Sequence, residues 1–185
     1  PEIASKAPAN IKFWFCQNAM FNHDRIMAIP LGLENYFDGR AGHGHVWGHA
    51  AEKIEKITEA DTSVIPSKLL YANFDIKTNP KNRTQIREVC QKSDIVSWTD
   101  PTLSYGEFVE DILDHEAVVC AQGNDNGDNH RIWETLYLNR IPITFNPWQY
   151  ETLHHKLPVI LCESEKDLLD EDVIKEKINI AKKKS

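Results

Sequence analysis

Short apolar runs recur along the chain, and segments with helical spacing separate most of them. The runs cover residues 11–16, 26–31, 69–74, 95–98, 117–120, 141–145 and 159–162. They lack the alternation of apolar and polar residues, which is typical of strands buried on both faces of a parallel sheet. We therefore predict a strand in each of these seven places.

Capping residues and apolar spacing predict helices between the later strands. Asn79 before Pro80 is typical of a helix start, and Ser104 with Glu107 three residues on forms a capping box. Segments 129–138 and 165–181 carry apolar residues on one helical face. Because strands alternate with helices, we predict an α/β fold with a doubly wound parallel sheet.

Composition narrows the class of protein. With 41% apolar and 26% charged residues among 185, the chain is too apolar to be disordered. No apolar run approaches the ~18 residues that span a membrane. A formal net charge of −7 argues against a nucleic-acid duplex as the main partner, because phosphates need a basic surface. Four scattered cysteines indicate reduced thiols, and hence a cytoplasmic location.

The polar loop that follows the predicted strand 117–120 holds the clearest candidate site. It contains Gly123 and Asn124 and leads into a helix that starts near His130. Ligands of open parallel sheets bind beyond the carboxyl ends of the strands, and a helix N-terminus suits a phosphate. Helical spacing places His130, Arg131 and Glu134 along one edge of the first turn.

Spacing alone leaves two interpretations of Arg131 and Glu134 open. In the first, Arg131 binds a diphosphate through its forked guanidinium, and Glu134 accepts hydrogen bonds from ribose hydroxyls. In the second, the two residues form an ion pair on a solvated helix face, worth about 0.3–0.5 kcal/mol. Asp125 and Asp128 in the loop oppose the binding of an anion.

Residues 123–143 read G-N-x-x-x-D-x-H-R-x-W-E-x-L-Y-L-x-x-I-P-I, which resembles the signature of exostosin-like glycosyltransferases in their GT-B donor-binding domain. W-F-C-Q-N at 14–18, I-P-L-G-L-E-N at 29–35 and L-Y-A-N-F at 70–74 resemble further segments of the family. The resemblance implies a Rossmann-like donor domain at 36–185. It also implies that residues 1–35 are a connector and the end of a partner domain, so we expect the natural chain to be longer.

The same resemblance implies an enzyme that transfers a sugar from a nucleotide-diphosphate donor to a glycan or another hydroxyl acceptor. No metal or other cofactor is implied, and no catalytic residue is assigned. The donor-binding residues carried over by the motifs are Asn73, Thr78, Arg83, Gly123, Asn124, His130, Arg131 and Glu134. By resemblance, the two arginines would neutralise the diphosphate, Glu134 would hold the ribose, and His130 would lie near the sugar or phosphate.

Two other hypotheses stay open beside the glycosyltransferase. One is a non-catalytic module that binds a nucleotide or a glycan, and the other is a flavodoxin-like interaction domain whose polar loop is only structural. The histidines at 43, 45 and 49 are expected in a solvated loop at 38–49 rather than at a metal, because Val46 stands where a zinc-protease helix needs Glu. His154 and His155 are expected on the surface.

Overall fold

The computed structural model describes residues 6–19, 23–34, 36–37, 40–41, 50–124 and 128–184, with the backbone alone at 36–37 and 40–41. Two small sheets come first in the chain. Strands β1 (Trp14–Cys16) and β2 (Ile26–Ala28) pair in parallel. Strands β3 (Tyr36–Phe37) and β4 (Arg40–Ala41) form an antiparallel pair that the sequence did not predict. The predicted loop 38–49 lies largely outside the described residues.

A five-stranded sheet forms the centre of the protein, and all its pairings are parallel. Its strands are β5 (Lys68–Ala72), β6 (Val96–Trp98), β7 (His115–Val119), β8 (Ile141–Thr144) and β9 (Ile160–Leu161). The order across the sheet is β6-β5-β7-β8-β9. Each predicted apolar run overlaps one strand of this sheet or of the first pair.

Five longer helices accompany the strands, and they are α1 (Ala50–Glu59), α2 (Pro80–Lys92), α3 (Tyr105–Leu113), α4 (His130–Tyr137) and α5 (Glu171–Lys182). Short 3-10 turns cover Ile76–Thr78 and Glu165–Leu169. A helical turn at Pro147–Gln149 runs into a π-helical segment, Tyr150–His154. Helix α1 and the π-helical segment were not predicted.

Local capping explains where the predicted helices begin. The side chain of Asn79 accepts a hydrogen bond from the Asn82 N–H at the start of α2. Ser104 and Glu107 form both hydrogen bonds of the predicted capping box on α3. The predicted helix 165–181 is divided, because the Asp170 side chain caps a new start at α5.

Helices cover both faces of the central sheet. On one face, Leu70, Ala117 and Ile143 belong to the same buried cluster as residues of α2 and α5. On the other face, Tyr71 and Val118 pack in a second cluster with residues of α1, α3 and α4. Neighbouring residues of one strand thus enter opposite cores, which requires strands that are apolar throughout. The predicted Rossmann-like, doubly wound parallel sheet is confirmed.

Asn139 ends α4 in a left-handed conformation with a φ of 55°. The Arg140 N–H bonds to the Thr135 carbonyl and the Asn139 N–H to the Leu136 carbonyl, which is the Schellman pattern of a helix end. Asparagine tolerates this conformation better than other residues with a β-carbon.

We expect Asn139→Ala to lower the free energy of unfolding by about 1 kcal/mol, because alanine is strained in the left-handed region. Asn139→Gly should preserve or raise it, since glycine adopts this conformation without strain. Urea unfolding of the two variants measures the difference. Glu88→Ala, at an exposed position of α2, is the matched control. Equal stability of the alanine and glycine variants would contradict the prediction.

Candidate functional site

A cleft of about 310 Å³ lies at the carboxyl ends of β5 and β7. These two strands are neighbours in the sheet, yet the chain leaves them in opposite directions, from β5 towards β6 and from β7 towards β8. A doubly wound sheet has a topological switch point at such a place. The loops diverge there and leave the crevice in which ligands of these folds bind.

All eight residues predicted to bind a donor line this cleft, although they come from five places along the chain. Asn73 follows β5, Thr78 ends a 3-10 turn, Arg83 lies in α2, Gly123 and Asn124 lie in the loop after β7, and His130, Arg131 and Glu134 lie in the first turn of α4. The structure therefore brings the set together. That these residues bind a donor stays a prediction.

Arg83 is buried and acts as a brace between two loops. Its Nη1 donates to the Asp75 carbonyl at 2.8 Å, its Nε to the Gln122 carbonyl at 2.8 Å and its Nη2 to the Ala121 carbonyl at 3.2 Å. Burial, reinforced by the charge of Arg131, lowers the pKa of Arg83 to about 10. Arg83 thus joins the loops after β5 and β7 and places a positive charge between them.

Arg131 is held in a defined orientation beside the cleft. Its Nη1 donates to the Asn73 carbonyl at 2.7 Å and its Nε to Glu134 Oε2 at 3.0 Å. The guanidinium carbon lies 3.9 Å from the centre of the Phe108 ring, an arrangement that adds a cation–π attraction. The ion pair of the second interpretation exists, but its Arg131 side chain is only 14% exposed, so the solvated face is wrong.

The partners of Glu134 were not predicted. Lys53, on α1, places its Nζ 2.7 Å from Glu134 Oε1 and 3.2 Å from Glu34 Oε2, and it donates to the Leu33 carbonyl at 3.2 Å. The three charged side chains are almost completely buried. Lys53 therefore links α4 to the segment that precedes β3. Glu34 lies in the I-P-L-G-L-E motif, so the sequence offered a reason to consider it. It offered none for Lys53, because helix α1 was not predicted.

His130, the first residue of α4, also contacts that segment. Its Nδ1 lies 2.7 Å from the Gly32 carbonyl oxygen, and its Nε2 lies 3.5 Å from Glu34 Oε1. The Asn129 side chain caps the helix by accepting a hydrogen bond from the Ile132 N–H. The positive end of α4 is thus presented to the cleft.

Asp128 is surrounded by donors within the protein. Its Oδ2 accepts hydrogen bonds from the Leu31 N–H at 2.9 Å and from Trp133 Nε1 at 2.6 Å. Its Oδ1 accepts one from the Asn129 N–H at 3.0 Å and lies 3.2 Å from His154 Nε2. These contacts compensate the negative charge that was expected to oppose an anion. Asp125 lies outside the described residues.

The predicted surface position of His154 is wrong. Its side chain has no exposed area, lies 3.2 Å from Asp128 Oδ1 and makes a T-shaped ring contact with Trp133. The π-helical turn of Tyr150–His154 carries it inward, whereas the adjacent His155 is exposed. The polar residues around these histidines suggested an exposed position. The sequence did not show that His154 has a buried partner, Asp128, which makes its burial favourable.

The described residues support neither a cysteine nucleophile nor a metal site built from His, Cys, Asp and Glu. All four cysteines are free, and burial raises the pKa of the Cys120 thiol beside the cleft to about 12, which keeps it from acting as a thiolate. Burial and the charge of Glu134 also raise the pKa of Tyr105. Within the described ranges, no three His, Cys, Asp or Glu side chains are grouped to hold a metal ion. His43, His45 and His49 lie outside those ranges.

No protein-family model matches the chain, and the search of curated proteins found no match. Across the part of the chain that the structure describes, no helix is both long and apolar enough to cross a membrane. Any assignment of function to the cleft therefore depends on the fold and on the contacts of the residues that line it.

We expect Asp128→Asn to lower the free energy of unfolding by about 3 kcal/mol, because it turns an acceptor with four donor neighbours into a neutral amide. The shape of the side chain is preserved, so the loss reports the missing charge and acceptor. Chemical unfolding measures it, with Asp94→Asn at an exposed position as the control. A loss below 0.5 kcal/mol, the usual range for surface changes, would contradict a structural role for Asp128.

Proposed function

We propose that this chain is the donor-binding part of an exostosin-like GT-B glycosyltransferase, and that its cleft binds the ribose and diphosphate of a nucleotide-diphosphate sugar. One observation carries the proposal. Arg131, Glu134 and the N-terminus of α4 meet at the switch point of a doubly wound sheet, where folds of this class bind nucleotides.

The diphosphate is assigned to the side of the cleft that Arg131 shares with the N-terminus of α4. The stacking on Phe108 and the hydrogen bond to the Asn73 carbonyl orient the guanidinium before a ligand arrives, so less entropy is lost on binding. Peptide dipoles at the start of α4 add a partial positive charge. Arg83, which also lines the cleft, contributes positive charge. Its hydrogen bonds go to backbone carbonyls, which are neutral and do not cancel that charge.

The ribose is assigned to Glu134. Each oxygen of this carboxylate already has one cationic partner, Lys53 or Arg131. A carboxylate oxygen accepts more than one hydrogen bond, so each retains the capacity to accept a ribose hydroxyl. The two cations hold the Glu134 carboxylate in place, which suits it to accept hydrogen bonds from the ribose.

In this proposal, catalysis is mainly electrostatic. Negative charge develops on the diphosphate as its bond to the sugar breaks, and fixed positive groups stabilise it most where water is excluded. Arg131 and the start of α4 supply such groups. The acceptor and the catalytic base are assigned to the partner domain that the resemblance implies.

A second candidate function, a module that binds a neutral glycan without turnover, is favoured by the balance of charge in the cleft. Three cations, Lys53, Arg83 and Arg131, face three carboxylates, Glu34, Asp128 and Glu134, among the described lining residues. A polyhydroxylated ligand that needs both donors and acceptors would suit this balance as well.

Calorimetric titration with nucleoside diphosphates, their sugar conjugates and neutral oligosaccharides distinguishes the two functions. We expect a nucleoside diphosphate to bind and Arg131→Ala to weaken it by about 1.5–3 kcal/mol, or about 10- to 150-fold, the scale of a hydrogen bond to a charged group. Arg87→Ala, which removes a cation stacked on Trp98 instead, should leave the affinity unchanged.

Arg131→Ala is also expected to lower the free energy of unfolding, because Arg131 donates to the Asn73 carbonyl. Loss of a solvent-exposed ion pair would change it little. Thermal unfolding should be measured in parallel and the titrations done well below the transition. Unchanged nucleotide affinity in Arg131→Ala, or binding of neutral glycans alone, would overturn the assignment of the diphosphate.

A further inference from the structure

The proposed ligand brings a charge that the cleft does not balance. When His130 is neutral, the cations and carboxylates among the described lining residues are equal in number. A nucleotide sugar carries two negative charges on its diphosphate. Placing these in a partly buried site is unfavourable unless positive charge is added.

His130 is the described lining residue best suited to add that charge. Histidine is the side chain that gains or loses a proton most readily near neutral pH. Both ring nitrogens of His130 face acceptors, the Gly32 carbonyl at 2.7 Å and Glu34 Oε1 at 3.5 Å. A neutral imidazole has one N–H and satisfies one of them, whereas an imidazolium has two and satisfies both.

Charged groups on its own helix and the preceding loop act on His130 in opposite directions. Arg131, the next residue, and the positive end of α4 disfavour a second proton. Glu134 lies one helical turn further along, but its two oxygens are engaged by Lys53 and Arg131. Asp128 precedes the helix and is engaged by its own donors.

From the described elements packed against α4, Glu34 lies beside the His130 ring and Lys53 lies beside Glu34. Glu34 favours the protonated ring, and Lys53 weakens this influence because it shares the same carboxylate at 3.2 Å. A dianion in the cleft adds negative charge beside the His130 ring, which favours its imidazolium form.

We propose that binding of a nucleotide sugar in the cleft is coupled to the uptake of a proton from the solvent by His130. The imidazolium then supplies the positive charge that the other lining residues do not. This inference rests on the proposed function, because it requires that the ligand is an anion.

Calorimetric titration of the full chain with UDP-glucose tests it, with GDP-mannose as a second probe, because the diphosphate of such a sugar conjugate keeps its charge from pH 6 to 8.5. At pH 7.5, titrations in buffers of different ionisation enthalpy give the number of protons exchanged. We expect net uptake of up to one proton, and an affinity that falls by up to about tenfold per pH unit as the pH rises.

His130→Gln removes the titrating group and keeps a hydrogen-bonding side chain of similar reach. We expect its binding to be independent of buffer and pH, with an affinity near that of the unchanged protein at pH 8.5. His155→Gln, which removes an exposed histidine, should retain the uptake. A nitrogen-15 NMR spectrum of the histidine rings provides a second readout in the unchanged protein, in which the His130 ring should change to the imidazolium pattern with UDP-glucose.

The outcomes distinguish a failure of proton uptake by His130 from a failure of the proposed function. Binding that is independent of buffer in the unchanged protein overturns the inference and leaves the proposed function standing. Proton uptake that persists in His130→Gln, or a His130 ring signal that does not change, assigns the proton elsewhere and also overturns it. Failure of both nucleotide sugars to bind, while neutral oligosaccharides do, overturns the proposed function and the inference together.

Discussion

A buried series of ion pairs determines how the cleft is built. It runs from Arg131 through Glu134 and Lys53 to Glu34, with separations of 3.0, 2.7 and 3.2 Å. Charges buried to this extent are tolerated only with partners, since loss of one leaves its neighbour uncompensated. The series therefore ties α4 to α1 and to the segment before β3, and it fixes the side chains that face the cleft.

The same constraint shapes what the cleft can bind. Most of its charged groups already satisfy one another, so a ligand meets a preorganised wall of donors and acceptors rather than a cluster of bare cations. Arg83 is held by the backbone instead, because its three hydrogen bonds go to carbonyls of the loops after β5 and β7. Under the proposed function, Arg131, the N-terminus of α4 and His130 are the groups that would accommodate the anionic charge of the ligand.

The N-terminal segment belongs physically to this site. Residues 31–34 contribute a backbone N–H to Asp128, two carbonyls to His130 and Lys53, and the carboxylate of Glu34. A domain boundary at residue 35, as predicted from the sequence, thus passes beside the wall of the cleft. Residues 31–34 are therefore part of the cleft wall, although the predicted boundary separates them from the rest of the cleft.

The sequence by itself determined the features whose causes are local. The alternation of apolar runs with capped helices predicted the parallel sheet, and Asn79 and Ser104 marked helix starts because their capping partners lie within a few residues. Only the tertiary structure showed that Lys53 and Glu34 complete the site, and that His154 is buried against Asp128. Those pairs join residues far apart in the chain, and no spacing rule links a buried charge to a partner that the fold alone brings near.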